Sequence, residues 1–165
     1  MAQETEIRGN EEQVVVFQLA EQTYGVDIAR VYEIIRMEAI TRVPRAPQFV
    51  EGVINLRGRI IPVIDLRRRF GMPQNEQTRA SRIIIVEMNG MTVGMVVDAV
   101  LEVLRLPADS IEPPPPVING IDSAYLRGIA LWGERLIIML DTEKVLIEAE
   151  QEELRGADMS VQATA

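Results

Sequence analysis

A segment that recurs within one chain obliges the fold to accommodate the same unit twice, so repetition constrains this sequence more than any local pattern. Residues 14–25 lie without a gap on residues 83–94 at an offset of 69, and the match runs on to Arg36 and Arg105. Further along, residues 52–65 lie on residues 128–141 at an offset of 76, with Arg59 on Arg135 and Asp65 on Asp141. The second copy has seven extra residues between Arg105 and Gly128, where Glu112 and Pro113 to Pro116 stand. Proline has no N–H to donate, so this stretch is expected to be an irregular, extended insert that cannot join a sheet interior.

Within each copy the pattern is strand, tight turn, strand. Residues 14–19 and 83–88 are runs rich in β-branched side chains, which suit a pleated, half-buried surface. Asn89-Gly90 is the strongest two-residue hairpin signal, because both residues tolerate positive φ. Residues 24–28 and 93–97 are the return strands. Residues 29–36 are ambiguous: Ile28, Val31, Tyr32 and Ile35 have helical spacing, but the stretch is short and rich in Val and Ile, which favours a helical turn followed by a strand. A second hairpin turns at Arg57-Gly58 and again at Gly133-Glu134. Each copy closes on an aspartate in N-cap position, Asp65 before residues 66–70 and Asp141 before residues 142–154, with Gly71 and Gly156 as stops. Four or five short strands per copy are too few for a sandwich and predict a small closed barrel, two of which must pack together because each core is marginal alone. The expected division is a tail over 1–12, one barrel over 13–80, a second over 81–142, a short C-terminal helix over 143–155 and a tail over 156–165. The barrel boundaries are approximate and open to strand exchange.

Composition narrows the chemistry. The 165 residues contain neither cysteine nor histidine, which removes disulfides, the common catalytic triads, most zinc sites and a phospho-accepting histidine. The single lysine, Lys144, follows Glu143, so there is no phosphate-binding loop of the G-x-x-x-x-G-K type, and no dinucleotide-binding glycine pattern occurs. Asp65 and Asp141 are a conceivable acid–base pair, but both sit where a helix needs a cap and both recur with the repeat. A phospho-accepting aspartate would need an alternating β/α chain. No enzyme activity, cofactor or metal is expected. No window approaches the roughly 18 apolar residues of a membrane span and no signal peptide is evident, so the chain reads as cytoplasmic.

The net charge of −8 sits in the ends: residues 1–12 carry four acids and one Arg, and residues 143–165 six acids and two bases. Residues 41–70 go the other way, with seven arginines against Glu51 and Asp65. Nucleic-acid binding is the alternative this stretch raises. The arginines lack the interleaved aromatics that single-strand binders stack on, and acidic tails oppose a polyanion. Arg67 to Arg69 are expected to be solvated or to serve the end of a short helix. Arg57 stands apart at the exposed tip of a hairpin. A third class, a self-assembling structural subunit, would show concentration-dependent oligomers.

The run from Phe49 to Leu66, with Asn55-Leu56-Arg57-Gly58 at its turn and Ile61-Pro62-Val63-Ile64-Asp65 after it, resembles the CheW family of bacterial chemotaxis coupling proteins. Residues 24–28 and 93–98 carry the same likeness, which covers 13 to about 150. The resemblance implies two intertwined SH3-like five-stranded barrels and a non-catalytic adaptor. It would join the cytoplasmic tips of methyl-accepting chemoreceptors to the regulatory domain of a histidine kinase, in membrane-associated arrays and without inserting into the membrane itself. Carried over residue by residue, receptor contacts fall at Val31, Glu33, Gly52, Arg57, Gly94 and Val103. Gly52 and Gly94 would let a receptor helix approach the backbone, with Glu33 and Arg57 orienting it at the rim of a groove between barrels. Kinase contacts are implied at apolar barrel ends of both halves, without named residues. The four prolines depart from the pattern and would alter any binding face they border.

Overall fold

The structure, a computed structural model, describes residues 11–73, 77–118 and 121–146. In chain order it runs β1 (Glu11–Leu19), β2 (Gln22–Asp27), a 3₁₀ turn (Ile28–Arg30), β3 (Val31–Arg36), β4 (Val50–Leu56), β5 (Arg59–Asp65) and α1 (Leu66–Arg69). The second copy supplies β6 (Arg82–Met88), β7 (Met91–Val97), β8 (Ala99–Pro107), a 3₁₀ turn (Ala108–Ser110) and β9 (Ile111–Glu112). It continues through β10 (Val117–Ile118), β11 (Ile121–Asp122), a 3₁₀ turn (Ser123–Tyr125), β12 (Leu126–Trp132) and β13 (Arg135–Leu140). The expected helical turn and strand over residues 29–36 are both present. Two hairpins turn on paired positive φ, Asn89 (54°) with Gly90 (81°) and Arg57 (51°) with Gly58 (86°), the backbone whose twist matches the flanking strands.

The sheets do not follow the copies. One has the order β8-β1-β2-β13-β12-β9 and the other β3-β6-β7-β5-β4, so each takes its first hairpin from one copy and its remaining main strands from the other. The joints are parallel pairings, β2 with β13 and β5 with β7. A cut at residue 80 therefore separates the two copies of the repeat but runs through both barrels. The side chains explain the exchange. Along β1, Val14 and Val16 enter one barrel core with Ile137 and Met139, while Val15, Phe17 and Leu19 point the other way. Along β6, Ile83 and Ile85 enter the second barrel with Ile54, Ile61 and Val63, while Ile84, Val86 and Met88 point away. The outward sets of both strands meet Tyr24, Val26, Ile64, Met95, Ile138 and Leu140 in a third core between the barrels. A strand that separates two cores is apolar on both faces, which is why both runs are continuous rather than alternating. At about 1.5–3 kcal/mol per fully buried large aliphatic side chain, this shared core binds the two SH3-like barrels into one unit.

Each barrel closes in the same way. Thr41 and Val53 exchange backbone hydrogen bonds of 2.8 Å, joining the connection after β3 to β4. In the other barrel β9 pairs with β12. Glycine is required at both seams: a Cβ on Gly52 would lie 2.2 Å from the Thr41 carbonyl oxygen, and one on Gly128 2.4 Å from that of Glu112.

Three expectations need correction. Glu112 is a strand residue in β9 rather than part of an irregular insert, because the barrel needs that seam; Pro113 to Pro116 do lie outside both sheets. Residues 143–146 of the expected C-terminal helix are turn and bend, closed by Glu143 N–H donating to Asp141 Oδ1 at 2.9 Å, and Glu11 and Glu12 of the expected N-terminal tail belong to β1, where Glu12 accepts from Arg127 at 2.7 Å; the rest of both segments and the expected C-terminal tail lie outside the described residues. Asp65 caps α1 as expected, accepting from Arg67 and Arg68 N–H. The arginines of α1 stand in its last turn, the helix-end role expected of them, and are half-buried rather than free in solvent. Arg67 Nε and Nη2 donate to Asp98 at 3.1 and 2.6 Å, and Nη1 donates to the Pro73 carbonyl at 2.8 Å. That carboxylate holds the Arg67 guanidinium above its ordinary pKa. Arg69 donates to the Val145 carbonyl and lies over the Tyr125 ring at 4.6 Å.

Candidate functional site

Strands β3 and β8, the equivalent third elements of the two copies, are the free edges of their sheets. An unpaired edge offers N–H and C=O groups to another chain unless it is interrupted. Both edges are interrupted at the same place. The register of β3 on β6 slips between Val31 and Glu33, leaving Tyr32 as the extra residue, and that of β8 on β1 slips around Leu101. The repeat offset carries Tyr32 onto Leu101. A bulge re-aims the residue that has no partner, and these two apolar side chains are 62% and 45% exposed.

The residue after each bulge is a glutamate, and each is met by an arginine from the last hairpin of the same barrel. Arg57, at the tip between β4 and β5, pairs with Glu33. Arg135, at the start of β13, pairs with Glu102 at 2.7 Å. These pairs are exposed and contribute at most about 1 kcal/mol each, so they set orientation at the edge rather than stability.

Of the six sequence-derived contacts, the structure joins only Glu33 and Arg57 directly, with Val31 two residues before Glu33 on β3. Val103 lies on the other barrel's edge, half exposed and opposite Val15 of β1. No strand pairing joins β3 to β8. The two glycines are buried. The space beside Gly52 is taken by Ile40 and Thr41, and that beside Gly94 by Ile83, Ile85 and Val63. Its counterpart Gly25 is packed the same way against Val14, Ile137 and Met139. The space a side chain would take at either glycine is thus already filled by the protein's own atoms.

Other exposed apolar groups had not been singled out. Leu131, Trp132 and Leu136 stand at the end of the β12–β13 hairpin at 58, 41 and 56% exposure, with Leu131 opposite Leu136 in the register. The sequence held a signal for them: the chain's one tryptophan next to the Gly133-Glu134 turn, where a tip residue has no core to enter. Among the described residues no cluster of three or more acids is placed to hold a metal, and no helix is long and apolar enough to cross a membrane.

Two closed, strand-exchanged barrels with modified free edges define a protein of the small-β-barrel interaction class. The model of the CheW-like domain matches residues 13–150, and the chain belongs to that family. It is 37% identical over 139 residues to the chemotaxis protein CheW of Klebsiella aerogenes, covering 84% of each chain. It is 33% identical over 146 residues to the CheW protein of Treponema pallidum, covering 86% of each. Among solved structures it superposes on the scaffolding protein TtCheW of Thermoanaerobacter tengcongensis with a TM-score of 0.79 and 46% identity, over 86% of this chain and 92% of that one.

Proposed function

We propose that this protein is a cytoplasmic, non-catalytic adaptor that couples the cytoplasmic tips of chemoreceptors to the regulatory domain of a chemotaxis histidine kinase within receptor arrays. The observation that carries this reading is the repeated edge: a bulged strand that presents an apolar residue beside a Glu–Arg pair, once on each barrel. Receptor tips are helical hairpins, and an apolar helix face laid into a hydrophobic groove is a standard recognition mode; Tyr32 and Leu101 supply apolar surface for one beside each edge. Val31, Glu33, Arg57 and Val103 are assigned to receptor contact. Gly52 and Gly94 act there through the barrel shape they permit. The apolar end formed by Leu131, Trp132 and Leu136 suits a kinase regulatory domain of like fold, since the centre of an associating patch is depleted of charge. Nucleic-acid binding loses its main support, because Arg57, Arg67, Arg68 and Arg69 are occupied by partners inside the protein.

The test is kinase activity reconstituted with receptor-containing membranes. Arg57→Glu places a second carboxylate against Glu33 and is expected to abolish receptor-dependent activation while the melting temperature and binding to the isolated kinase domain are kept. Glu33→Arg combined with Arg57→Glu restores the pair in reverse. Full activation by the folded single variant would remove Arg57 from the site; rescue by the double variant would assign the effect to the shape of the edge rather than to a charge on the receptor.

A further inference from the structure

The arginine-rich stretch over residues 41–70 is largely accounted for: Arg57 pairs with Glu33, Arg59 donates to Thr92 Oγ1, Arg67 and Arg69 have the partners described above, and Arg68 donates to the Gln48 carbonyl at 3.4 Å. Arg42 and Arg45 are different. Neither makes a hydrogen bond or ion pair with any described residue, and both line a hollow of about 790 Å³. Arg68 lines it too, held by the Gln48 carbonyl and by Glu51 at 3.8 Å. Val43, Val50 and Met72 add apolar side chains to its lining. Three arginines thus line the hollow against one lining carboxylate, Glu51, with Asp65 at 3.7 Å from Arg68 Nε, a local excess of positive charge on a chain whose net charge is −8.

The loop that carries Arg45 gives a second, independent observation. Ala46 N–H donates to the Val43 carbonyl at 3.3 Å, closing a turn with Pro44 at its second position and Arg45 at its third. Arg45 has φ +64° there. After a proline that position favours glycine or asparagine, since a side chain with a Cβ is strained in the left-handed region. The sequence keeps an arginine where the backbone favours none, and Pro44 and Pro47 stiffen the loop around it. This hollow lies at the Val50 end of β4, about 20 Å along the strand from the Arg57 tip.

We propose that this hollow is a docking site for an acidic, partly apolar peptide segment of a partner protein, its carboxylates taken by Arg42 and Arg45 and its apolar side chains by Val43, Val50 and Met72. Guanidinium forks match carboxylates in pairs, and a preorganised loop loses little freedom on binding. The assignment does not depend on the coupling role proposed above. It is tested by isothermal titration of the full chain with a blocked peptide of alternating glutamate and leucine, its glutamine counterpart, and inorganic pyrophosphate. Saturable binding of the glutamate peptide alone is expected, weakened at least tenfold in Arg42→Ser/Arg45→Ser and by raised salt. Arg45→Gly separates site from fold: affinity should fall at least threefold while the melting temperature holds or rises. Unchanged affinity in Arg45→Gly, or equal binding of the glutamine peptide, would overturn the proposal. Binding of pyrophosphate without the peptide would overturn it in favour of a small-anion site.

Discussion

Replacing Arg67 by methionine tests the place where the chain crosses between barrels. Asp98 stands between β7 of one sheet and β8 of the other; its N–H donates to the Gln18 carbonyl at 3.0 Å and its Oδ2 accepts from Ala20 N–H at 2.8 Å. Arg67 reaches the same carboxylate from α1, which follows β5. One ion pair thereby fastens elements of both sheets. The side chains of Arg67 and Asp98 are 12 and 30% exposed, so the pair is shielded without being dry. Removing one partner of a fully buried pair costs about 3–5 kcal/mol, and the residual solvent at Asp98 moves the expectation to roughly 2–3 kcal/mol. For a chain of this size that is a fall in Tm of about 4–12 °C. The assay is urea unfolding of Arg67→Met, Asp98→Asn and the double variant. A coupling energy of at least about 1.5 kcal/mol is expected, against less than about 1 kcal/mol for the same cycle on the exposed Glu33–Arg57 pair. Equal coupling in the two cycles would refute the argument that burial makes Arg67 a structural tie.

Tyr24 has a fully buried hydroxyl with no hydrogen-bond partner, so Tyr24→Phe should raise stability by about 1 kcal/mol in urea unfolding at pH 7; a loss would mean the hydroxyl is bonded. Burial pushes its pKa up to about 12, above the value of 10.0 for an unperturbed tyrosine. Folding therefore disfavours the ionised form, so the shift leaves stability unchanged below pH 10 and lowers it by roughly 2–3 kcal/mol as the pH rises from 10 to about 12. Tyr24→Phe should flatten the alkaline limb of the stability profile. Gly52→Ala and Gly128→Ala drive a Cβ into backbone at the two barrel seams and should each cost about 3 kcal/mol or more, whereas Gly58→Ala, with open space around it and φ +86°, should cost only about 1 kcal/mol. Similar melting curves for all three would contradict the seam assignment.

The duplicated barrels, their hairpins and the Asp65 cap were legible because each rests on local rules: period, turn residues and repeat offset. Which copy each strand would join was not. The two matched segments predict equivalent strands but leave their partners open, and the answer lies in Val14 to Phe17 being apolar on both faces, a property visible only once two cores exist to receive it. Gly52 and Gly94 read as openings because a missing side chain looks the same in sequence whether a partner or the protein's own Ile40 and Ile83 fills the space. The α1 arginines were placed at the helix end, but their partners were not legible, because Asp98 and Val145 are 31 and 76 residues away. Glu33 and Arg57 were found through the family motif, while the bulge that sets Tyr32 outward needed the register of β3 on β6.

Duplication gives this fold two edges with the same geometry, and the later divergence of their surroundings decides what each can meet. At both, a bulged apolar residue precedes a glutamate held by an arginine, so the backbone presentation is shared. The neighbouring hairpins are not alike: Asn55, Leu56, Arg57 and Ile60 stand at one tip, where Leu131, Trp132, Gly133 and Leu136 stand at the other. A charged tip contributes mainly to orientation and rate of encounter, and an apolar tip mainly to affinity. Two different neighbours can then be held by one repeated unit without either face competing for the other's partner. Exchanging the tips should exchange these properties. A chain carrying Leu131→Asn, Trp132→Leu and Leu136→Ile takes the first copy's residues at equivalent positions, and it should lose affinity for the isolated kinase domain by tenfold or more while receptor-membrane binding is kept. Equal loss of both, with an unchanged Tm, would show that the two tips serve one surface.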